Sequence, residues 1–179
     1  MPPENARPVT GTSVDAGLYI GRFQPFHLGH LHAVNYALAH ADVLRLAIGS
    51  SNRFNEPENP FSIDERRAMI QNSLDAETQK RITIHAIPDV QHHIRWLQLV
   101  QDTVPPFDVV FTNDPTTSRI YQTHGMSVRG IPFYNRSGLS GTNIRRIIAD
   151  GGDWSDLVPA PTIPIIESAT ERIRTLLQD

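Results

Sequence analysis

The amino-acid sequence predicts an α/β protein built on a doubly wound parallel sheet. Short apolar runs of strand length recur along the chain, and segments with apolar residues every three or four positions separate them. This alternation favours a parallel sheet with helices on both faces, because right-handed crossovers join successive parallel strands across those faces. Proteins of this class bind ligands beyond the carboxyl ends of their strands. The residues that follow each predicted strand are therefore the first candidates for a functional site.

Each predicted element has a local signal in the chain. Strands are expected at residues 17–21, 43–49, 82–87, 109–112 and 127–131. In the first crossover, apolar residues recur at helical spacing, at Leu31, Val34, Leu38 and Ala41. Further helices are expected at residues 62–74, 94–104, 116–124 and 141–149. Ser62 and Glu65 form a capping-box pattern at the start of one helix, and Gly151-Gly152 closes the last of these.

The chain of 179 residues fits one main domain, which we expect at residues 17–158. Residues 1–16 hold three prolines and no secretory hydrophobic stretch, so a disordered leader is expected there. Residues 159–179 begin with a proline-punctuated linker and end in an amphipathic pattern, which predicts a short C-terminal helical extension.

Composition excludes several classes of protein. Hydrophobic residues make up 39% of the chain, and no apolar run approaches the roughly 20 residues of a membrane span. The formal net charge of -3 argues against bulk nucleic-acid binding, although cations can still gather in one cleft. The absence of cysteine rules out disulfides, thiolate zinc sites and a cysteine nucleophile, and it suits a cytoplasmic protein.

The stretch GRFQPFHLGH, residues 21–30, directly follows the first predicted strand. Gly21 and Gly29 allow close approach of the backbone to a ligand, and a helix that begins near Gly29 directs free amides toward the same loop. His27 and His30 can donate to phosphate oxygens, and Arg22 adds a permanent positive charge. The stretch therefore predicts an anion site. The bland alternative is that the two histidines are half-buried and only cap the helix.

Dinucleotide, P-loop and zinc sites fit this stretch less well than an anion site does. The dinucleotide fingerprint G-x-G-x-x-G is not met, and G-x-x-x-x-G-K-[ST] does not occur in the chain. His27 and His30 lack a nearby third ligand for zinc, and His32 is expected to point elsewhere on the helix. The pair Arg66-Arg67 is expected on a solvated helix face, with Arg66 the more inward of the two.

Two motifs together carry a resemblance to a known family. His27-Leu-Gly-His30 after a first strand, with Ser140-Gly-Thr-Asn-Ile-Arg145 opening a later helix, resembles the HxGH nucleotidyltransferase superfamily. Further segments from residue 17 to 160 make the chain similar to the archaeal-type nicotinamide-mononucleotide adenylyltransferases; these are Asn59-Pro-Phe61 to Glu65-Arg66, Ile87-Pro-Asp89 with Trp96, Val109-Val-Phe-Thr112 and Trp154 to Pro159.

The resemblance implies an enzyme that joins nicotinamide mononucleotide (NMN) to the AMP part of ATP, with release of pyrophosphate. It implies that His30 contacts the α-phosphate, that His27 helps to hold the phosphate chain, and that Arg145 grips the β- and γ-phosphates. Arg22 completes the predicted catalytic set. Expected ATP-binding residues are Gly21, Phe23, Gly29, Arg136, Ser140 and Thr142. Without the resemblance, Arg145 could be an exposed helix arginine that pairs with Asp150.

The acceptor side is expected to use Trp96, Asp89 and Asn113. From residue type alone Trp96 would be a core residue, whereas the resemblance implies that it stacks on the nicotinamide ring. The chain departs from the family pattern nearby, where Gln91-His-His93 replaces an asparagine-containing segment. This departure leaves open how the amide is recognised, and whether nicotinic-acid mononucleotide is also accepted.

The expected cofactor is Mg²⁺ held by the phosphates of ATP rather than by protein ligands, and the resemblance implies a homo-oligomer. Two alternatives remain at the level of sequence. One is a related transferase that uses phosphopantetheine, flavin mononucleotide or a CTP-dependent acceptor. The other is a nucleotide sensor without catalytic activity.

Overall fold

A computed structural model describes residues 14–134 and 138–178 of the chain. Its five strands form one sheet in the order β3-β2-β1-β4-β5. All neighbouring strands are parallel. The strands are β1 Val14–Gly21, β2 Ala41–Ile48, β3 Ile82–Ala86, β4 Val109–Phe111 and β5 Ser127–Arg129. The predicted doubly wound parallel fold is confirmed.

Helices fill the crossovers at the places that the apolar spacing predicts. They are α1 Leu28–His40, α2 Ile63–Asn72, α3 Ala76–Lys80, α4 His93–Thr103, α5 Pro115–Thr123, α6 Gly141–Ala149 and α7 Ile163–Gln178. The capping box of α2 forms as predicted, because Ser62 accepts from the Glu65 amide and Glu65 accepts from the Ser62 amide. The short helix α3 was not predicted; the side chain of Asp75 begins it by accepting from the Thr78 amide.

Strand β1 begins earlier than the sequence pattern predicts. Val14 pairs with Ala41. The Ala16 amide donates to the Asp108 carboxylate at 2.8 Å, and the Asp108 amide donates to the Ala16 carbonyl. Three residues assigned to the leader therefore belong to the sheet, while residues 1–13 lie outside the described part of the chain. Long-range pairing with Asp108 has no signal in the local sequence.

The C-terminal helix α7 packs into the core rather than lying beside the domain. Ile166, Ala169 and Ile173 are fully buried in the same apolar cluster as β2 and α1. Arg172 on this helix donates to both carboxylate oxygens of Glu65 at 2.7 and 2.9 Å. The helix therefore supports the start of α2.

The strand order reverses at β1, since β2 lies on one side of it and β4 on the other. In open α/β sheets a crevice forms at this point beyond the carboxyl ends of the strands. The loops after β1 and β4 border this crevice. Within the described ranges, the longest apolar helices fall short of what would be needed to cross a bilayer.

Candidate active site

The two motifs that lie far apart in the sequence meet in the fold. Nη1 of Arg145, on α6, donates a 2.7 Å hydrogen bond to the main-chain carbonyl of Gln24 in the loop after β1. Both segments line one cavity of about 250 Å³. Its lining residues are Arg22, Phe23, Gln24, His30, Ser140, Gly141, Thr142 and Arg145. The predicted cationic clusters therefore face a common space.

Gly141 allows this close approach. A Cβ atom at this position would lie 2.8 Å from the Gln24 carbonyl oxygen and 3.1 Å from Nη1 of Arg145. Any larger residue would push the start of α6 away from the loop. The loop itself is anchored, because the buried Gln24 amide pairs with the Phe61 backbone through two 2.9 Å hydrogen bonds. Neither Gly141 nor Gln24 has a local sequence signal for this contact, since the two residues belong to distant segments.

His27 and His30 form a reciprocal cap at the start of α1. The His30 amide donates to Nδ1 of His27, and the His27 amide donates to Nδ1 of His30, each at 3.3 Å. The rings are stacked with centroids 3.6 Å apart. Because Nδ1 accepts in both rings, the neutral tautomer carries its proton on Nε2. Each histidine thus caps the helix and still has an N–H for a ligand, so capping and function are compatible.

The histidines are neutral at pH 7 in the folded chain. Burial lowers the pKa of His27 to about 4. Burial, and then repulsion by His27, lower the pKa of His30 well below its usual range. The His30 ring contacts Phe23 at 4.8 Å and Phe26 at 5.7 Å between ring centroids, which explains its desolvation.

Positive charge in the first cavity comes from arginine. Arg145 is buried, and this burial lowers its pKa; the charge on Arg22 lowers that pKa further, and Glu58 raises it. Like charges held near one another in a desolvated site favour a polyanion as the ligand. Ser140 caps α6 by accepting from the Asn143 amide, so the start of a second helix faces the same space.

A second cavity of about 290 Å³ lies at the crevice between β1 and β4, and its walls include His27, Gly29 and His30. On the opposite side are Thr112, Asn113, Asp114 and residues 131–134. His32 also lines this cavity and stacks on Tyr134 with centroids 4.9 Å apart, so the expectation that it points elsewhere is wrong. His30 belongs to both cavities and joins them.

The predicted ATP-binding residues of the loop differ in what they do. Gly29 lines the crevice, and a Cβ there would lie 3.0 Å from the His27 ring. Above Gly21 the space is taken by the Phe23 ring, 2.8 Å from where a Cβ would be. Phe23 itself is 1% exposed and supports His30. Gly21 thus contributes packing, and Arg136 lies outside the described residues.

The predicted acceptor residues lie in three different settings. Trp96 lines a separate cavity of about 230 Å³ with Val90, His93, Thr116, Thr117 and Ile120. Asn113 lines the crevice, but its amide donates to and accepts from the Ile131 backbone at 2.7 and 2.8 Å. Asp89 accepts from the Ser50 hydroxyl at 2.9 Å and thereby ties the β2 and β3 loops together. Asp89 and Asn113 therefore do not share the cavity that Trp96 lines.

The Trp96 cavity adjoins the crevice through helix α5. Asp114 lines the crevice and caps α5 by accepting from the Thr117 amide at 2.6 Å. Thr116 and Thr117 line the Trp96 cavity, so the first turn of α5 borders both spaces. In the parts of the chain that the structure describes, no group of three His, Asp or Glu side chains could hold a metal ion.

The strand order of the parallel sheet reverses at β1, and two helix N-termini and cationic side chains border one cavity. This combination of fold and site is that of a nucleotidyltransferase. The chain belongs to the cytidylyltransferase-like family, whose model matches residues 18–147. Within it, the chain belongs with the nicotinamide-nucleotide adenylyltransferases. It is 41% identical over 149 residues to such an enzyme from Methanolobus tindarius, covering 83% of this chain and 86% of that one.

Other comparisons agree at the level of sequence and fold. The nicotinamide-nucleotide adenylyltransferase of Saccharolobus solfataricus is 41% identical over 152 residues, which is 84% of this chain and 88% of that enzyme. Among solved structures, a bifunctional NMN adenylyltransferase/ADP ribose pyrophosphatase from Francisella tularensis superposes with a TM-score of 0.74 at 19% identity. The match covers 90% of this chain but spans about half (53%) of that longer protein, and it supports the fold alone.

Proposed function

We propose that this chain transfers the adenylyl group of ATP to nicotinamide mononucleotide, forming NAD and pyrophosphate. The observation that carries the proposal is the meeting of Arg22, His30 and Arg145 around one cavity. Relatives that share 35 to 41% of the sequence over most of its length are named for this reaction.

The reaction needs positioning and positive charge rather than a protein nucleophile. A phosphate oxygen of the mononucleotide attacks the α-phosphorus of ATP in line, and the bond from that phosphorus to the bridging oxygen of pyrophosphate breaks. Negative charge moves to the leaving pyrophosphate. Arginines and helix starts that are already in place stabilise this charge without reorganisation.

Each part of the cavity has a role in this proposal. Arg145 and Thr142, joined by a 3.3 Å hydrogen bond, hold the β- and γ-phosphates at the start of α6, with Ser140 beside them. His30 borders both cavities and donates to the α-phosphate through Nε2. His27 steadies His30 through their reciprocal cap and contacts the phosphate chain.

Magnesium enters as part of the substrate, magnesium-ATP. The described lining of the cavity includes two arginines, His30 and two hydroxyl residues but no Asp or Glu, and this set suits phosphate rather than a hard cation. Mg²⁺ is therefore held by the phosphates, where it adds to the neutralisation of charge on the leaving group.

The acceptor base is assigned to the Trp96 cavity. The Trp96 ring packs edge-on against buried Tyr121 at 6.2 Å between ring centroids, so its orientation is supported. A supported indole favours a flat aromatic base over a flexible chain such as phosphopantetheine. The lining of this cavity contains no Asp or Glu among the described residues, and it offers the Thr116 and Thr117 hydroxyls and His93 as polar partners.

The function is tested with purified protein, magnesium and a panel of acceptors, each against ATP and CTP. Pyrophosphate release and NAD formation with ATP and nicotinamide mononucleotide are the expected result. Nicotinic-acid mononucleotide, flavin mononucleotide and phosphopantetheine complete the panel. Turnover only with another acceptor would reassign the enzyme, and binding of both nucleotides without turnover would indicate a sensor.

A homo-oligomeric state and a cytoplasmic location belong to the same proposal; sedimentation of the purified protein and cell fractionation test them.

A further inference from the structure

Arg66 on α2 is a fully buried arginine whose hydrogen bonds go to main-chain carbonyls. It is 0% exposed and is one of the largest side chains that are fully buried. Nη1 donates to the Arg22 and Gly49 carbonyls at 2.9 and 2.8 Å, Nη2 to the Ser50 carbonyl at 3.1 Å, and Nε to the Ser62 carbonyl at 3.2 Å. Across the described ranges, none of its hydrogen-bond or ion-pair partners is a carboxylate. Arg66 is the inward residue of the Arg66-Arg67 pair, as expected, but it is fully buried rather than on a solvated helix face.

The carbonyls that Arg66 binds lie where β1 and β2 leave the sheet. The Arg22 carbonyl precedes Phe23, which has φ 54°, and the Gly49 carbonyl precedes Ser50, which has φ 48°. Residues other than glycine are strained in this left-handed region and persist there only when their surroundings hold them. A single nitrogen, Nη1, donates to both of these peptide groups. Arg66 therefore stabilises both left-handed backbone positions, Phe23 after β1 and Ser50 after β2.

The loop after β1 contributes to the cavity lined by Arg22, His30 and Arg145, here called the phosphate cavity. Arg22 lines that cavity, and the Phe23 ring packs edge-on against His30, which also lines it. The Ser50 hydroxyl donates to Asp89 and joins the β3 loop to the same unit. A shift of the Arg66 guanidinium would therefore move Arg22 and the packing of His30 together.

The charge on Arg66 is kept in spite of its burial. Burial lowers the pKa of its guanidinium to about 10; Asp89 acts to raise this pKa and Arg22 to lower it. The side chain is thus a cation at neutral pH. It lies beneath a loop whose outer side faces the proposed triphosphate, so its field adds to that of Arg22 and Arg145.

We propose that Arg66 is a positioning residue for polyphosphate binding: by bridging the carbonyls of Arg22, Gly49 and Ser50, it sets the loop that presents Arg22 and packs Phe23 against His30. The assignment of the polyphosphate as ATP rests on the proposed function. Lysine cannot replace arginine here, because a compact ammonium does not span carbonyls on two loops as a planar guanidinium does.

The test measures affinity for inorganic tripolyphosphate by calorimetry, with no acceptor present, for the variants Arg66→Lys and Arg66→Met. Both should bind at least about tenfold more weakly than the unaltered chain, a loss typical of a displaced charged contact. The matched control is Arg67→Lys. Arg67 is the next residue of α2, and it donates to the Ile84 carbonyl at 3.4 Å. The affinity of Arg67→Lys for tripolyphosphate should stay within about twofold of that of the unaltered chain.

Steady-state kinetics then separates positioning from a general loss of structure. The KM for ATP should rise in Arg66→Lys by more than the KM for the acceptor, because five of the six residues that line the Trp96 cavity lie on α4 and α5 and only Val90 lies on the β3 loop. Wild-type tripolyphosphate affinity in both variants would overturn the proposal, and so would failure of both to fold, since Arg66 would then be a stability residue. The binding arm does not depend on the acceptor, so an error in the proposed reaction would not disturb it.

Discussion

Nη1 of Arg145 donates to the main-chain carbonyl of Gln24, and the two residues are 121 positions apart in the chain. This bond joins the loop after β1 to the start of α6 and sets the distance between the two segments that line one cavity. The remaining donors of the guanidinium include Nε, which is buried and has no hydrogen-bond partner among the residues that the structure describes.

Arg145→Lys should lower kcat/KM by about 100-fold, because the ammonium loses either the Gln24 carbonyl or the phosphate. The measurement is pyrophosphate release at saturating and limiting ATP. Arg146→Lys is the control, since Arg146 is exposed and its guanidinium donates to the neighbouring Asn143. Equal losses in the two variants would argue against a special role for Arg145.

Gly141→Ala should reduce activity by at least about tenfold and stability by about 1–3 kcal/mol, the range for overpacking. The added methyl would lie 2.8 Å from the Gln24 carbonyl and would separate the motifs. Gly138→Ala is the matched control, because no atom of the described residues lies within 4 Å of a Cβ there. Urea denaturation and steady-state assays measure both effects, and an active, stable Gly141→Ala chain would contradict this packing argument.

The free energy of unfolding should fall as the solution is acidified from about pH 6.5 toward pH 4. Below pH 6.5 an unfolded histidine binds a proton, whereas burial lowers the pKa of His27 in the folded chain to about 4. The unfolded state therefore gains protons first, and stability is lost at about 1.4 kcal/mol per pH unit for such a group.

His27→Asn should flatten that part of the profile, and asparagine can still cap α1. Urea midpoints between pH 4 and 7.5 measure the difference between the two chains. The unaltered chain, measured over the same pH range, provides the comparison. A slope unchanged by His27→Asn would mean that folding does not lower the pKa of His27.

Trp96→Ala should raise the KM for the acceptor by about 10-fold or more and leave the KM for ATP within about twofold. The reason is that Trp96 lines its own cavity, apart from the one that contains Arg145. Ile94→Ala, at a site 73% exposed on the same helix, is the control. A rise in the KM for ATP alone would move the acceptor site elsewhere.

Local patterns in the sequence determined the order of strands and helices and the class of the sheet. Apolar spacing and caps act over a few neighbouring residues, so the Ser62 capping box and the helix after Ser140 could be predicted without a structure. The short helix α3 has a cap at Asp75 but too few residues for a periodic signal. The two motifs that meet at the cavity, residues 21–30 and 140–145, could likewise be singled out from the chain.

Only the tertiary structure decided which side chains are free to meet a ligand. Asn113 and Asp89 have the chemistry of ligand-binding residues, yet Asn113 bridges to Ile131 and Asp89 accepts from Ser50. Arg66 has the chemistry of a surface residue, yet it is buried under the loop. Periodicity reports on contacts within one element, whereas these partners belong to different elements. They come together only when the strands on both sides of β1 have assembled into the sheet.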